Sequence, residues 1–150
     1  VLENDRVFCE IICDGRHLHP GTVRLIIKTK GLDRVVAITD SIMAAGLPDG
    51  NYKLGVNDVV VVNGDAKLAD GGSRAGSTLT TGRALQNLLA FTGKPVEEIL
   101  PLLTENPAKL IGVDNQYGFV KEGLEANFVV LDETCKVAAT FVKGRKVFEA

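Results

Sequence analysis

Two apolar runs that each end in a polar cluster constrain this chain most. Val7-Phe-Cys-Glu-Ile-Ile-Cys13 leads into Asp14-Gly-Arg-His17, and Val35-Val-Ala-Ile-Thr39 leads into Asp40. Runs that are apolar on both faces suit strands of a parallel sheet covered by helices. Between them, residues 22–31 carry Val23, Leu25, Ile26 and Ile27 and read as a short helix, which predicts a strand–helix–strand unit. Both polar ends then open on one face of the sheet, and the C-terminal ends of barrel strands are where catalytic groups sit. Asp40 is therefore the first candidate for chemistry, with a loop cap as the competing reading. Glu10, inside the first run, needs a partner or an exit to water.

The next segments read in turn as loop, hairpin and helices. Residues 41–50 are punctuated by glycine and proline and form a loop. Residues 52–55 and 58–62 read as strands, Asn63-Gly64 as a tight turn with positive φ at both positions, and residues 66–69 as the returning strand. This is a β-hairpin insertion of the kind that covers a site. Residues 77–91 have helical spacing in Leu79, Leu85, Leu88 and Leu89, with Ser77 or Thr78 as N-cap and Gly93 as the stop. Pro95 opens another helix, and Asn106-Pro107 opens a third that ends near Gly112, with Asn106 as its cap. From Gly118 the pattern changes to short strands at 119–120, 126–132, 137–142 and 146–148, with Lys143-Gly144 as a turn. So few short strands cannot bury themselves, so their partners must come from elsewhere.

The 150 residues are 45% hydrophobic and 24% charged, a globular balance. A net charge of -2 without a Lys/Arg cluster interleaved with aromatics argues against a nucleic-acid partner. No apolar run approaches the ~20 residues of a membrane span, so no membrane partner is expected. Cys9, Cys13 and Cys135 are odd in number and lack CxxC spacing, which predicts reduced, packed thiols in a reducing, cytoplasmic setting. An opening at Val1, with few polar residues before a buried strand, suggests a piece of something longer.

Three local motifs each have two readings. His17 and His19, two residues apart on a strand, would point to one side and could share a metal. Pro20 has ended the strand by then, and no carboxylate or cysteine is expected nearby to complete a ligand set, so one histidine contacting substrate is the competing reading. Ala75-Gly76-Ser77 before a helix is an anion nest or an ordinary helix start. Residues 63–72 invite a calcium loop but lack the distal glutamate and the ligand spacing.

Taken together, the motifs Asp14-Gly-x-His17, Ile38-Thr-Asp40, Gly46-Leu-Pro-Asp-Gly50, Ala75-Gly-Ser-Thr-Leu-Thr80, Glu105-Asn-Pro-Ala108 and Gly118 to Leu131 carry a resemblance. Their order is similar to the C-terminal part of the N-acetylglucosamine-6-phosphate deacetylase family of the amidohydrolase superfamily, over essentially the whole chain. The resemblance implies an α/β fold. Residues 1–112 would be the C-terminal part of a metal-dependent-hydrolase (β/α)8 TIM barrel, its last two strands and helices, with the hairpin inserted at about 51–72. Residues 113–150 would be the C-terminal strands of a small β-sandwich whose other strands precede Val1.

The implied reaction hydrolyses N-acetylglucosamine 6-phosphate to glucosamine 6-phosphate and acetate. By the same resemblance Asp40 is the catalytic acid–base, His17 contacts the substrate, and Ala75, Gly76 and Ser77 close over the sugar. A divalent metal, zinc or iron, is implied for the full-length enzyme, held by a glutamate and two histidines that this chain does not contain, so the isolated chain should be inactive. A sugar phosphate is the implied small-molecule partner and a homodimer the implied assembly. Arg74 stands where the family often has an aliphatic residue, Asn127 where Asp is usual and Ser41 where Ala is frequent; His19 acquires no role. Two alternatives stay open: a fragment of another amidohydrolase, dihydroorotase-like or a deaminase, and a non-catalytic module that pairs its open strands with another chain.

Overall fold

A computed structural model describes residues 1–150. Strands β1 (Cys9–Ile12) and β2 (Val35–Ile38) pair in parallel, with Cys9 facing Val35 and Ile12 facing Ile38. Helix α1 (Pro20–Lys30) makes the crossover. The strand–helix–strand unit is thus present, and its helix begins two residues earlier than the apolar spacing indicates. Pro20 occupies the first turn, where a missing N–H costs nothing, and the Nδ1 of His19 caps the helix by accepting from the Gly21 amide at 3.0 Å. Gly31, at φ 80, ends α1.

Burial differs between the two strands. Val35, Val36 and Ala37 are all buried, so β2 is covered on both faces as expected. In β1 Ile11 is buried while Glu10 is exposed, so the glutamate is satisfied by water. The main core joins Ile11, Val23 and Val35 to Leu88, Ile99 and Leu102. The last three are fully buried, each contributing about 1.5–3 kcal/mol by burial.

The helical layer corrects two expected caps. Helix α2 (Thr81–Thr92) starts after Thr80, whose hydroxyl accepts from the Arg83 amide at 3.3 Å; Ser77 and Thr78 are not its caps. The Ser77 hydroxyl is held elsewhere by the backbone, so the chain stays extended through Thr80. Gly93, at φ 66, closes α2 in the left-handed conformation. Helix α3 (Val96–Ile99) passes into a 3-10 turn at Leu100–Leu103, where Pro101 lacks the donor an α-helix would need. Asn106 lies inside α4 (Glu105–Leu110) rather than capping it. Its buried amide donates to the carbonyls of Leu32 (2.6 Å) and Val35 (2.7 Å), fastening α4 to the entry of β2.

The inserted region is a three-stranded antiparallel meander of β3 (Gly50–Leu54), β4 (Asn57–Val62) and β5 (Asp65–Leu68). Asn63 (φ 51) and Gly64 (φ 70) form the two-residue turn between β4 and β5, because only left-handed backbone at both positions matches the strand twist. Alternation turns Val59, Val61 and Ala66 inward, where they meet Ala44 and Ala75 in a second, smaller core.

The tail strands β6 (Phe128–Leu131), β7 (Val137–Val142) and β8 (Arg145–Glu149) form a separate antiparallel sheet. The Phe128 and Phe141 rings stack at 4.6 Å across the β6–β7 pair. Ala139 is its one buried residue, and Val129, Val142, Val147 and Phe148 are exposed. The expected strand at 119–120 is irregular, with Val120 fully open to solvent between left-handed glycines at 118 and 123. No helix is long and apolar enough to cross a membrane.

Candidate active site

The C-terminal ends of β1 and β2 lie side by side, so Asp14–His17 and Asp40 leave the same end of the sheet. After β1 the chain folds around the Asp14 carboxylate. Its Oδ1 accepts from the amides of Arg16 and His17, both at 2.8 Å, and its Oδ2 lies 2.7 Å from the His17 Nδ1. Partial burial works to raise the Asp14 pKa, but the His17 and Arg16 amides and then the His17 ring outweigh it and hold the carboxyl below its usual range. Behind this turn, Cys13 is fully buried, and burial together with the nearby Asp14 charge pushes its thiol up to about 12. Such a thiol packs; it does not act as a nucleophile.

Asp40 follows β2 in left-handed backbone, φ 50, which Asp tolerates better than most residues. Its side chain is exposed, while its carbonyl accepts from the Ser77 amide at 2.8 Å. The Ser77 hydroxyl donates to the Thr39 carbonyl and accepts from the Leu79 amide at 3.0 Å, and the Ile42 amide donates to the Ser77 carbonyl at 2.9 Å. Residues 75–79 therefore run beside 39–42 as a short parallel extension, with a bridge between Ser41 and Ser77. Gly76, at φ 61, lies against the aspartate: a Cβ there would come 2.6 Å from Ile42 Cγ2, 2.9 Å from the Asp40 carbonyl oxygen and 3.7 Å from Asp40 Oδ2.

The structure thus brings Gly76 and Ser77 to Asp40, although not as a helix start, while Ala75 pairs with Ala66. Helix α2 begins at Thr81, so the stretch lies extended ahead of it and forms no nest at its first turn. Ala75 is buried in the second core, Ser77 is buried with its hydroxyl engaged by backbone, and Gly76 is the member adjoining the carboxylate.

The tip of the β4–β5 turn is tethered to the loop after β1, to the loop after β2 and to the 75–79 segment. Asp49 accepts from the Asn63 amide and from the Gly64 amide, the latter at 3.0 Å. Thr78 donates its hydroxyl to the Gly64 carbonyl at 2.7 Å, and the Arg16 guanidinium donates to the Asn63 carbonyl at 2.5 Å. Arg74 donates to Asp65 at 2.9 Å and to the Arg16 carbonyl at 3.1 Å. The Arg74 hydrogen bond, followed by its charge and by Lys67, holds the Asp65 carboxyl below its usual range against slight burial. Asp14, Asp49 and Thr78 stand in the motifs quoted above, where they were given no role at this end of the sheet, and they are the side chains that hold its loops together. The available signal was an aspartate directly before glycine at Asp14-Gly15 and Asp49-Gly50, the pattern of side chains that bind nearby backbone.

The two histidines are committed separately. His17 meets Asp14, which corrects the expectation that no carboxylate lies near it, and His19 caps α1. No group of three or more His, Cys, Asp or Glu side chains within this chain is placed to hold a metal ion, so this chain by itself completes no metal site.

Residues 2–147 match the model of the amidohydrolase family, and the chain belongs to that family. Within it, the chain is 36% identical over 149 residues to the N-acetylglucosamine-6-phosphate deacetylase of Vibrio furnissii, covering 99% of this chain and 37% of that protein. It is also 36% identical over 144 residues to the N-acetylgalactosamine-6-phosphate deacetylase of Escherichia coli O157:H7, covering 96% of this chain and 38% of that one. The crystal structure of N-acetylglucosamine-6-phosphate deacetylase from Thermotoga maritima superposes with a TM-score of 0.92 at 40% identity, over 99% of this chain and 40% of that chain. The chain therefore spans about two fifths of the length of these relatives.

Proposed function

We propose that this chain is the C-terminal part of a metal-dependent deacetylase that hydrolyses N-acetylglucosamine 6-phosphate to glucosamine 6-phosphate and acetate. The observation that carries the reading is the Asp40 carboxylate: exposed at the C-terminal end of a parallel strand, with its backbone held by Ser77 and its flank left clear by Gly76. In this proposal Asp40 takes a proton from the water that adds to the acetamide carbon. It then delivers that proton to the nitrogen, which leaves as a neutral amine. His17 contacts the sugar phosphate, and the Ala75–Ser77 segment borders the sugar. The meander, tethered by Asp49, Arg16 and Thr78, roofs the site.

Residues 1–112 are assigned to the last two strands and helices of a (β/α)8 barrel, with the insertion at about 51–72, and residues 113–150 to a small β-sandwich. The exposed apolar residues of the β6–β8 sheet support the second assignment, because apolar sheet surface calls for a covering layer. The divalent metal, zinc or iron, would be held by residues outside this chain, and no step is derived through it. A cytoplasmic homodimer is the assembly proposed for the intact enzyme.

The test is acetate release by the intact enzyme containing this segment, with the glucosamine and galactosamine forms of the acetylated 6-phosphate compared side by side. The expected result is preference for the glucosamine form. Asp40→Asn should lower kcat by about 10²–10⁴-fold with KM little changed, as loss of general acid–base catalysis does. Unchanged turnover in that variant removes Asp40 from the mechanism.

A further inference from the structure

The two histidines differ in which ring nitrogen the protein holds. His17 presents Nδ1 to the Asp14 carboxylate at 2.7 Å, whereas the Nδ1 of His19 accepts from the Gly21 amide at 3.0 Å. An acceptor nitrogen carries no proton, so neutral His19 must be protonated at Nε2. A carboxylate cannot donate, so His17 must carry its proton on Nδ1. We infer that Asp14 is a positioning residue for His17, fixing the ring in the Nδ1–H form and leaving Nε2 as the one nitrogen offered to a bound sugar phosphate.

Three features of the turn support this. Asp14 cannot swing away from the ring, because its other oxygen is engaged by the amides of Arg16 and His17. Its pKa lies below the usual range, so it is ionised throughout the neutral region and acts only as an acceptor. Within this chain no group takes the Nε2 of His17, and the side chain keeps 23% of its surface open. Nε2 in the neutral ring accepts from a sugar hydroxyl, and when protonated it donates to a phosphate oxygen. In both states the ring keeps the same orientation, because Nδ1–H stays on Asp14. The inference deepens the proposed function and rests on it only for the identity of the ligand.

Long-range proton–nitrogen NMR on the histidine-labelled intact enzyme containing this segment, with the two signals assigned by their loss in His17→Gln and His19→Gln, reads the tautomers directly, without any ligand. The expected spectrum shows the neutral ring of His17 protonated at Nδ1 and that of His19 at Nε2. Asp14→Asn keeps an oxygen for the two backbone amides but sets an NH₂ group where the ring now finds an acceptor. It should therefore switch His17 to Nε2–H and leave His19 as it was. A neutral His17 ring protonated at Nε2 in the parent enzyme overturns the inference, and so does a His17 signal that Asp14→Asn does not move; the first outcome does not depend on Asp14→Asn folding. Glucosamine 6-phosphate added afterwards should shift the His17 Nε2 signal alone. A correct tautomer pattern with no response to the sugar phosphate would keep the Asp14 assignment and count against the proposed substrate.

Discussion

Gly76→Ala asks whether the Asp40 end of β2 depends on the close passage of the 75–79 segment. Gly76 has φ 61, and a Cβ there lies 2.6 Å from Ile42 Cγ2 and 2.9 Å from the Asp40 carbonyl oxygen. Left-handed backbone costs a residue with a Cβ about 1–2 kcal/mol. Forcing a methyl group into a filled gap costs about 1–3 kcal/mol more. The two add to about 2–5 kcal/mol, and at about 2–4 °C per kcal/mol for a chain of this size the melting temperature falls by roughly 4–20 °C. Gly46→Ala separates the two costs, since Gly46 has φ 78 but nothing lies within 4 Å of its Cβ position, leaving only the first. Thermal melts of both variants, with amide exchange at Ile42 and Ser77, make the measurement. Gly76→Ala should melt lower than Gly46→Ala and should alone lose protection at those two amides. Equal melting temperatures for the two variants would refute the packing argument.

Three further outcomes follow from contacts elsewhere. Asp49→Ala leaves the Asn63 and Gly64 amides without their acceptor at a cost of about 1 kcal/mol per bond, and their exchange should quicken while that of α2 stays unchanged. Asn106→Ala and Asn106→Asp should both lower the urea midpoint, because each leaves the Leu32 and Val35 carbonyls without a donor, at about 1–3 kcal/mol for each buried group. Asp65 has its folded pKa held below its ordinary value of about 3.9, so its contribution is present above about pH 4 and is lost as the pH falls through the lower folded value. Asp65→Asn should therefore cost at most about 1 kcal/mol at neutral pH, as for a largely exposed pair, and the gap from the parent should close in acid.

The sequence announces the sheet pair, α1, α2 and the meander because each depends on local signals: continuous apolar runs, helical spacing and Asn63-Gly64. What it hides depends on partners distant in the chain. Ser77 has the chemistry of an N-cap, but the Thr39 carbonyl and the Leu79 amide engage its hydroxyl and shift the cap to Thr80. Asn106-Pro107 has the local pattern of a helix start, yet the side chain is drawn back to carbonyls more than seventy residues earlier. The apolar pair at 119–120 has strand composition and finds no neighbouring strand. At the candidate site, Asp40, His17 and the 75–77 segment stood out because polar residues follow apolar runs or precede a helix. Asp14 and Asp49 lay in the quoted motifs without a role of their own, since a carboxylate that gathers backbone amides looks in sequence like any other loop aspartate.

The grip of Asp49 on the β4–β5 turn has an evolutionary consequence. It takes hold of main-chain N–H groups, which every residue but proline carries, so the letters at positions 63 and 64 are free to drift as long as they accept left-handed backbone. The latch therefore depends on a single anionic side chain in the loop beneath, and the side chains at the tip can be exchanged while the latch keeps working.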